Sequence, residues 1–385
     1  MENTWRYIEE DHVTASYGLA CDEYLMNTSS SGDSDFPVTL RLYTYKDHCA
    51  LAGRFQSIRD EIDIEACEKE GFQYGRRLTG GGAIIMGQNQ LGICLTTRAG
   101  YFKWEKVRDL YVLFSKPLIN ALQSFGIQAT FRSKNDLEVG GKKIAGLGVH
   151  ISPEGNVQFH TSLLVDLDID VMLKVLNIPI QKLSDKVLTR TIHQRMTTIN
   201  KETNKVVSQN EVRKAILDAF EEFFMIQFEE SKVSDVEKKN IQKLEEERYN
   251  SEEWIFQNSP QMDMTGMSLV KTPAGLLRTY IGLKGDTIKS VMITGDFFDQ
   301  AEMFSLLEAR LKWKRLDKEV IEKEIDEVMS AFSQDSIINV EKSQIYDAIW
   351  MAAQRAHAAA KYTYKGTCYY PKEEQKIENV NKVEV

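Results

Sequence analysis

The sequence predicts an α/β (α+β) protein in two parts, a larger domain of mixed strands and helices and a small α+β domain, joined by a charged connector. Three observations carry that expectation. Segments with the period-two alternation of half-buried strands are interspersed with segments of helical spacing. The length of 385 residues exceeds one average domain. Between Glu229 and Glu253 the composition turns abruptly to Lys, Glu and Ser, the pattern of a solvated helix or linker.

The elements follow in order. Asn27 to Pro37, NTSSSGDSDFP, is a turn-rich loop, and Val38 to Tyr45, VTLRLYTY, alternates as a strand does. Val107, Leu110, Tyr111, Phe114 and Leu118 fall at helical spacing, with Gly126 placed as a stop and Pro117 allowing a kink or two shorter helices. Ser208 and Glu211 form a capping box ahead of Ile216, Phe220 and Phe223. We divide the chain into a first domain at 1–235, a charged linker at 236–252 and an accessory domain at 253–335. A helical extension follows at 336–370, and the polar residues 371–385 read as a disordered tail. Within the accessory domain, Ser268 to Tyr280 and Thr287 to Thr294 read as strands, and Gln300 to Leu311 and Asp317 to Phe332 as helices. Ser343 to Tyr364 is a further helix.

Hydrophobic residues make up 42% and charged residues 27%, which suits a globular protein and excludes a disordered one. No run approaches the roughly 18 apolar residues of a membrane span, and Met1 to Asp11 lack the basic start and apolar core of a signal peptide. A cytoplasmic location with no membrane partner is expected. The net charge of −9 argues against nucleic acid as a partner but leaves room for a local basic pocket. Five scattered cysteines without a CxxC pair exclude a disulfide framework and a structural zinc site.

Two segments carry chemistry. In Arg76 to Ile85, RRLTGGGAII, three glycines let the backbone approach a ligand closely, and two arginines stand ready for phosphate or carboxylate oxygens. The segment serves equally as a tight turn with two surface arginines. It is neither a P-loop nor a dinucleotide fingerprint. In Lys134 to Gly148, KNDLEVGGKKIAGLG, a Gly140-Gly141 turn precedes a strand whose pleat sends Lys142 and Lys143 to opposite faces. One of the two lysines then faces a cleft, where an ammonium can polarise a carbonyl and offset phosphate charge. The other reading is a polar hairpin with solvated lysines.

Taken together, RRLTGGGA and NDL…GKKIAG resemble the paired signature of the lipoate–protein ligase A family, whose relatives include octanoyl and lipoyl transferases and biotin ligases. His160 to Leu164, HTSLL, resembles the family's HGTLL strand. Lys182-Leu183, Lys186 and Arg195-Met196-Thr197 resemble its KL…K…RVT segment. Leu19 to Met26 resembles its N-terminal helix, and Gly53-Arg54-Phe55-Gln56 its GRxQ turn. The likeness spans roughly residues 5–225. Ser251 to Trp254, Met292 to Phe298 and Leu306 to Leu311 resemble the accessory domain of lipoate ligases.

The resemblance implies a mixed-sheet catalytic domain that uses ATP and Mg2+ to adenylate lipoate. The acceptor would be a lysine of an apo protein, either a 2-oxoacid dehydrogenase E2 lipoyl domain, a glycine-cleavage H protein or a related carrier. It implies Lys143 as the catalytic lysine, with Lys142 a non-catalytic neighbour. Arg76, Arg77, Thr79, Gly80, Gly81, Gly82, Ala83 and Gly146 are expected against the lipoyl chain and adenylate. Asn135, Asp136, Lys182, Lys186 and Arg195 are expected toward ATP, with Asp136 as a magnesium carboxylate. His160 and Thr161 are expected in the acyl pocket. Two departures stand out: Met86-Gly87-Gln88 where the family carries His-Asp, and Thr161 where it carries glycine. A transferase relative would depend on a nucleophilic cysteine in the acyl pocket, and no cysteine occurs between Cys94 and Cys368. A carrier-binding module without ATP chemistry is the remaining alternative, and the retention of Lys143, both arginines and all three glycines argues against it. A biotin ligase normally reads GRGRxG in place of RRxTGGG.

Overall fold

The computed structural model describes residues 3–29, 36–132, 135–177, 194–273, 275–297, 301–332 and 340–361. Lys182, Lys186, Cys368 and the tail 371–385 lie outside the described residues. In chain order the strands are β1 (Thr4–Val13), β2 (Val38–Tyr45), β3 (Cys49–Ala52), β4 (Gln73–Arg76), β5 (Ile84–Met86), β6 (Gln90–Thr97), β7 (Thr130–Arg132), β8 (Asp136–Val139), β9 (Lys142–Ile151), β10 (Val157–Leu164), β11 (Gln227–Glu230), β12 (Gly266–Lys271), β13 (Leu276–Lys284) and β14 (Thr287–Gly295).

Among the described residues, eight strands form one sheet in the order β11-β1-β2-β6-β10-β9-β8-β7. The β11/β1 and β1/β2 pairs are parallel and the remaining pairs antiparallel, so the sheet is mixed. A three-stranded sheet β4-β3-β5 lies beside it. One face of the large sheet is covered by the amphipathic helices Val107–Ser124 and Gln209–Phe224, which bury Leu110, Phe114, Leu118, Ile216 and Phe220 against Phe159, Leu163, Ile144 and Leu147. The first of these runs unbroken through Pro117. The second starts on the expected box: Glu211 N donates to Ser208 Oγ at 3.2 Å, and Ser208 N to Glu211 Oε2 at 2.8 Å. Helix Ala15–Thr28 packs on the other face, with Leu19, Ala20 and Leu25 among Tyr43, Tyr45, Leu51 and Met86.

The accessory unit is an antiparallel meander β12-β13-β14 with helices Ala301–Leu311, Lys318–Phe332 and Lys342–Lys361. The stretch expected as one strand over 268–280 is two, turned at Thr272, whose Oγ1 accepts from and donates to Gly275. The helix at 342–361 is not an appendage. Ile345, Ile349, Ala352 and Ala356 complete the accessory core, and the bare Gly266 lets that helix press its main chain onto β12. The charged segment, expected as a solvated helix or linker, is a helix, and a packed one. Helix Asp235–Leu244 and the turn after it bury Ile241 and Tyr249 against Ala15–Thr28, so one apolar stripe overrides a charged composition.

Candidate active site

Strand β9 holds the central lysine. Its alternation turns Lys142 to solvent and Lys143 inward, the opposite faces that the pleat predicts for the pair. Register with β8 then slips: Glu138 faces Lys143, but Leu137 faces Ala145, leaving Ile144 as a bulge. Without that extra residue Lys143 would share the face of Ala145, Leu147 and Val149, which is packed under helix Val107–Ser124. With it, Lys143 joins Gly146 on the opposite face. Its Nζ lies 2.9 Å from where a Gly146 Cβ would stand, so the bare glycine makes room for the ammonium. Thr197 N donates to the Lys143 carbonyl at 2.9 Å, tying the segment after Arg195 to this strand.

Asp136, across the hairpin, places Oδ1 2.7 Å from Lys143 Nζ, an ion pair at the cavity wall. A single carboxylate suits magnesium, which takes most of its ligands from phosphate and water. Among the described residues no group of three or more His, Cys, Asp or Glu is arranged to hold a metal by itself.

The triple-glycine turn forms the facing wall. Gly81 takes φ +90°, a conformation open to glycine. Its carbonyl oxygen lies 1.9 Å from where a Gly53 Cβ would be, which explains the glycine in the GRFQ turn. Arg77 is buried and spends its donors on the main chain, with Leu51 O at 2.6 Å, Gly80 O at 3.1 Å and Gly82 O at 3.0 Å. Burial pushes its pKa down to about 10. Arg77 thus braces the loop from behind.

A cavity of about 310 Å³ joins the two walls. It is lined by Arg77, Gly80, Gly81, Gly82, Ala83, Ile84, Asn135, Asp136, Lys143, Gly146, Leu147, His160, Ser162, Gly275 and Asp296. A second cavity of about 220 Å³ shares Gly82, Ala83 and Asp296 with it. Of the expected residues, Lys143, Arg77, the three glycines, Ala83, Gly146, Asn135, Asp136 and His160 therefore come together. His160 is half-buried, with Nε2 3.0 Å from Thr79 Oγ1. Burial, then Arg77 and His150, push its pKa down to about 3, so the ring is neutral.

Four expected residues line neither cavity, and Thr79 is one of them, reaching the site only through its hydrogen bond to His160. Arg76 is fully buried, and its guanidinium donates to the carbonyls of Gly53, Arg54, Gln56, Trp254, Ile255 and Gln257. It staples residues 254–257 to the Gly53-Arg54-Phe55-Gln56 turn. Thr161 points to the opposite face of β10 from His160, among the core residues Phe159 and Leu163. Arg195 is exposed and lines neither cavity.

Other lining residues were not singled out from sequence. Ser162 follows His160 by two residues and so shares its face, a signal that period two supplies. Gly275 and Asp296 come from the accessory domain, whose docking no local pattern reveals. That docking is direct: Gly81 N donates to Phe297 O at 3.2 Å, and Phe55 stacks on Phe297 at 5.3 Å. The Met86-Gly87 departure has a packing reason. Met86 is buried, and the ring of His48, stacked on Phe72, fills the place of a Gly87 side chain. The described cysteines, Cys21, Cys49, Cys67 and Cys94, are buried and none lines a cavity. Burial raises the thiol pKa of each. Among the described residues no helix is long and apolar enough to cross a membrane.

Known proteins agree with this architecture. The family profile "Lipoyl protein ligase A/B catalytic domain" matches residues 14–221, and "Bacterial lipoate protein ligase C-terminus" matches 263–349. The octanoyltransferase LipM of Halalkalibacterium halodurans is 26% identical over 276 residues, spanning 66% of this chain and 99% of that protein. Lipoate–protein ligase 1 of Staphylococcus aureus is 24% identical over 302 residues, spanning 78% and 88%. Among solved structures, the bipartite lipoate protein ligase of Thermoplasma acidophilum superposes with a TM-score of 0.59 at 26% identity, covering 67% of this chain and 98% of that one. The family profile spans more than half the chain: the protein belongs to the lipoyl protein ligase A/B family.

Proposed function

We propose that the protein is an ATP-dependent lipoate–protein ligase, which forms lipoyl-AMP and passes the lipoyl group to a lysine of an acceptor lipoyl domain or H protein. The observation that carries this reading is one cavity holding the Lys143 ammonium, the triple-glycine turn and Asp136, with no thiol among the described residues of its wall. The lipoate carboxylate attacks the α-phosphorus of ATP, forming the mixed anhydride and releasing pyrophosphate. The acceptor amine then attacks the carbonyl, AMP departs and the amine loses a proton. Lys143 offsets charge on the carbonyl oxygen and the bridging phosphate, and the braced glycine turn holds the adenylate in place. Asp136 would hold the magnesium, which supplies neutralising charge to the phosphates when bound.

The second domain supports a ligase over a transferase. The whole octanoyltransferase is matched by 66% of this chain, so about a third of the chain has no counterpart there, whereas the ligase of S. aureus reaches 78%. A transferase would require a reactive thiol, and the described cysteines are buried with raised pKa values, which makes them poor nucleophiles. The deciding experiment gives apo lipoyl domain either lipoate with and without ATP, or octanoyl-carrier protein without ATP, and reads acceptor mass. Modification that requires lipoate and ATP is expected. ATP-independent transfer from the carrier refutes the ligase reading.

A further inference from the structure

The accessory domain carries a tryptophan that its own core does not use. Trp313 stands just past helix Ala301–Leu311, is 58% exposed and lies outside the accessory core. Among the described residues its indole enters no ring contact and no hydrogen bond. Its backbone takes φ +66°, a region that glycine enters freely and a bulky residue rarely does. Neighbours enforce that conformation. Trp313 N donates to Ile288 O at 2.7 Å, Ile288 N to Lys314 O at 2.9 Å, and Leu316 N to Asp286 O at 2.7 Å. Residues 313–316 are thereby zipped onto the start of β14. A strained residue whose ring stays in solvent adds nothing to folding, and such strain gathers where ligands are contacted.

The surrounding charges give this surface a sign. Thr287 pairs with Lys284 on one side and Arg315 on the other, and directly paired residues share a face of a sheet. Lys312 adjoins the ring in sequence. Lys284, Lys312 and Arg315 are exposed, and none has an ion pair among the described residues. Lys314 is taken up by Glu324 at 2.8 Å. The nearby acids are engaged: Asp317 accepts from Glu319 N at 3.0 Å, and Asp286 stands 3.9 Å from His357 Nε2. By period two, Lys284 shares the face of Arg278 and Tyr280, which meet Glu61 and Asp60 of the larger domain. The patch is the free end of the face on which the two domains dock.

We propose that Trp313, with Lys284, Lys312 and Arg315, seats the acceptor protein through a carboxylate-bearing patch on that protein. Tryptophan is enriched at the energetic centre of protein interfaces, and free cations around it favour an acidic partner. A chain of net charge −9 repels an acidic protein elsewhere, so a cationic ledge also sets how it lands. Gly295, at the other end of β14, lies about 26 Å from Thr287 by strand rise. It reaches the glycine turn's support, donating to Phe55 O at 3.0 Å. A carrier domain of about 80 residues is roughly 30 Å across, enough to bridge the ledge and the cavity. The proposal rests on the acceptor in the functional reading and not on ATP, since a ligase and a transferase both need one.

The test titrates apo lipoyl domain and apo H protein by calorimetry into the full chain, Trp313→Gly, Trp313→Tyr and the double variant Lys312→Glu with Arg315→Glu. Glycine suits the backbone, so Trp313→Gly should keep or raise the melting temperature while weakening an acceptor about tenfold or more. Trp313→Tyr should retain most of the affinity. The charge reversal should weaken binding by a similar factor at about 20 mM salt, a difference that fades by about 0.5 M. Lipoate-dependent pyrophosphate exchange should be the same in all four proteins, because the patch is remote from the cavity. Acceptor affinity within about twofold of the unaltered protein in Trp313→Gly, as for an ordinary surface change, overturns the proposal. So does the absence of binding of either acceptor to the unaltered protein, or a Trp313→Gly loss confined to phosphatidylserine vesicles. A Trp313-dependent affinity without exchange in the unaltered protein sinks the ligase reading alone, and exchange without that dependence sinks the seat alone.

Discussion

A single ammonium decides the chemistry at the residue scale, and its neighbour in sequence provides the control. Lys143 is half-buried against Asp136, while Lys142 is exposed one residue earlier. Lys143→Ala should lower the rate of lipoyl-adenylate formation by at least about 100-fold, the usual effect of removing a preorganised charge from the reacting oxygen. Lys142→Ala should leave it within about threefold, as surface changes do. Single-turnover assays of both variants check this, and equal losses would mean that the wrong lysine has been placed in the pocket. The pleat made it legible that adjacent lysines separate, and the family resemblance, not the pleat, singled out Lys143. The sequence did not reveal the Ile144 bulge that sets which face Lys143 shares with Gly146. Nor did it separate the two arginines, since burial behind the loop is a property of packing and both carry the same forked donors.

The glycine turn is read most clearly as an element. Its shape depends on Gly53 below it and Arg77 behind it, two residues outside the GGG run. Gly53→Ala would press a methyl against the Gly81 carbonyl, where main chain has to yield. The expected outcome is a folded protein whose adenylation rate falls about tenfold or more, since misplacement of a reacting group by a fraction of an ångström is costly. Circular dichroism and pyrophosphate release report the two halves of that statement. An unchanged rate would show that the turn does not hold the adenylate. The amphipathic helices and the Ser208 capping box were legible from spacing alone. The connector was not, because its packed stripe, Ile241 and Tyr249, is thin within a highly charged stretch.

Among the described residues the two largest hydrophobic cores lie one against the eight-stranded sheet and one against the accessory meander. Their meeting places Gly275 and Asp296 at the cavity, Phe55 on Phe297, and Arg278 2.8 Å from Glu61. Such long-range placement has no signature in a local pattern. The accessory core also carries a buried acid. Glu308 accepts from Ile293 N at 2.6 Å, and burial pushes its pKa from 4.5 up to about 7. The folded protein keeps this proton where the unfolded chain has lost it, so stability falls as pH rises from 4.5 toward 7. Each pKa unit is worth about 1.4 kcal/mol. Glu308→Gln retains the acceptor without the charge. It should raise the melting temperature of the accessory unit at pH 8, with the gain gone near pH 4.5. A gain that grows as pH falls would contradict this account.

The central claim, an activating lysine and a glycine turn acting on a carboxylate and a nucleotide in one cavity, is tested most directly by lipoate-dependent exchange of labelled pyrophosphate into ATP. The account predicts exchange that requires lipoate and disappears in Lys143→Ala. Absence of exchange in the unaltered protein, with lipoate and magnesium present, would contradict it.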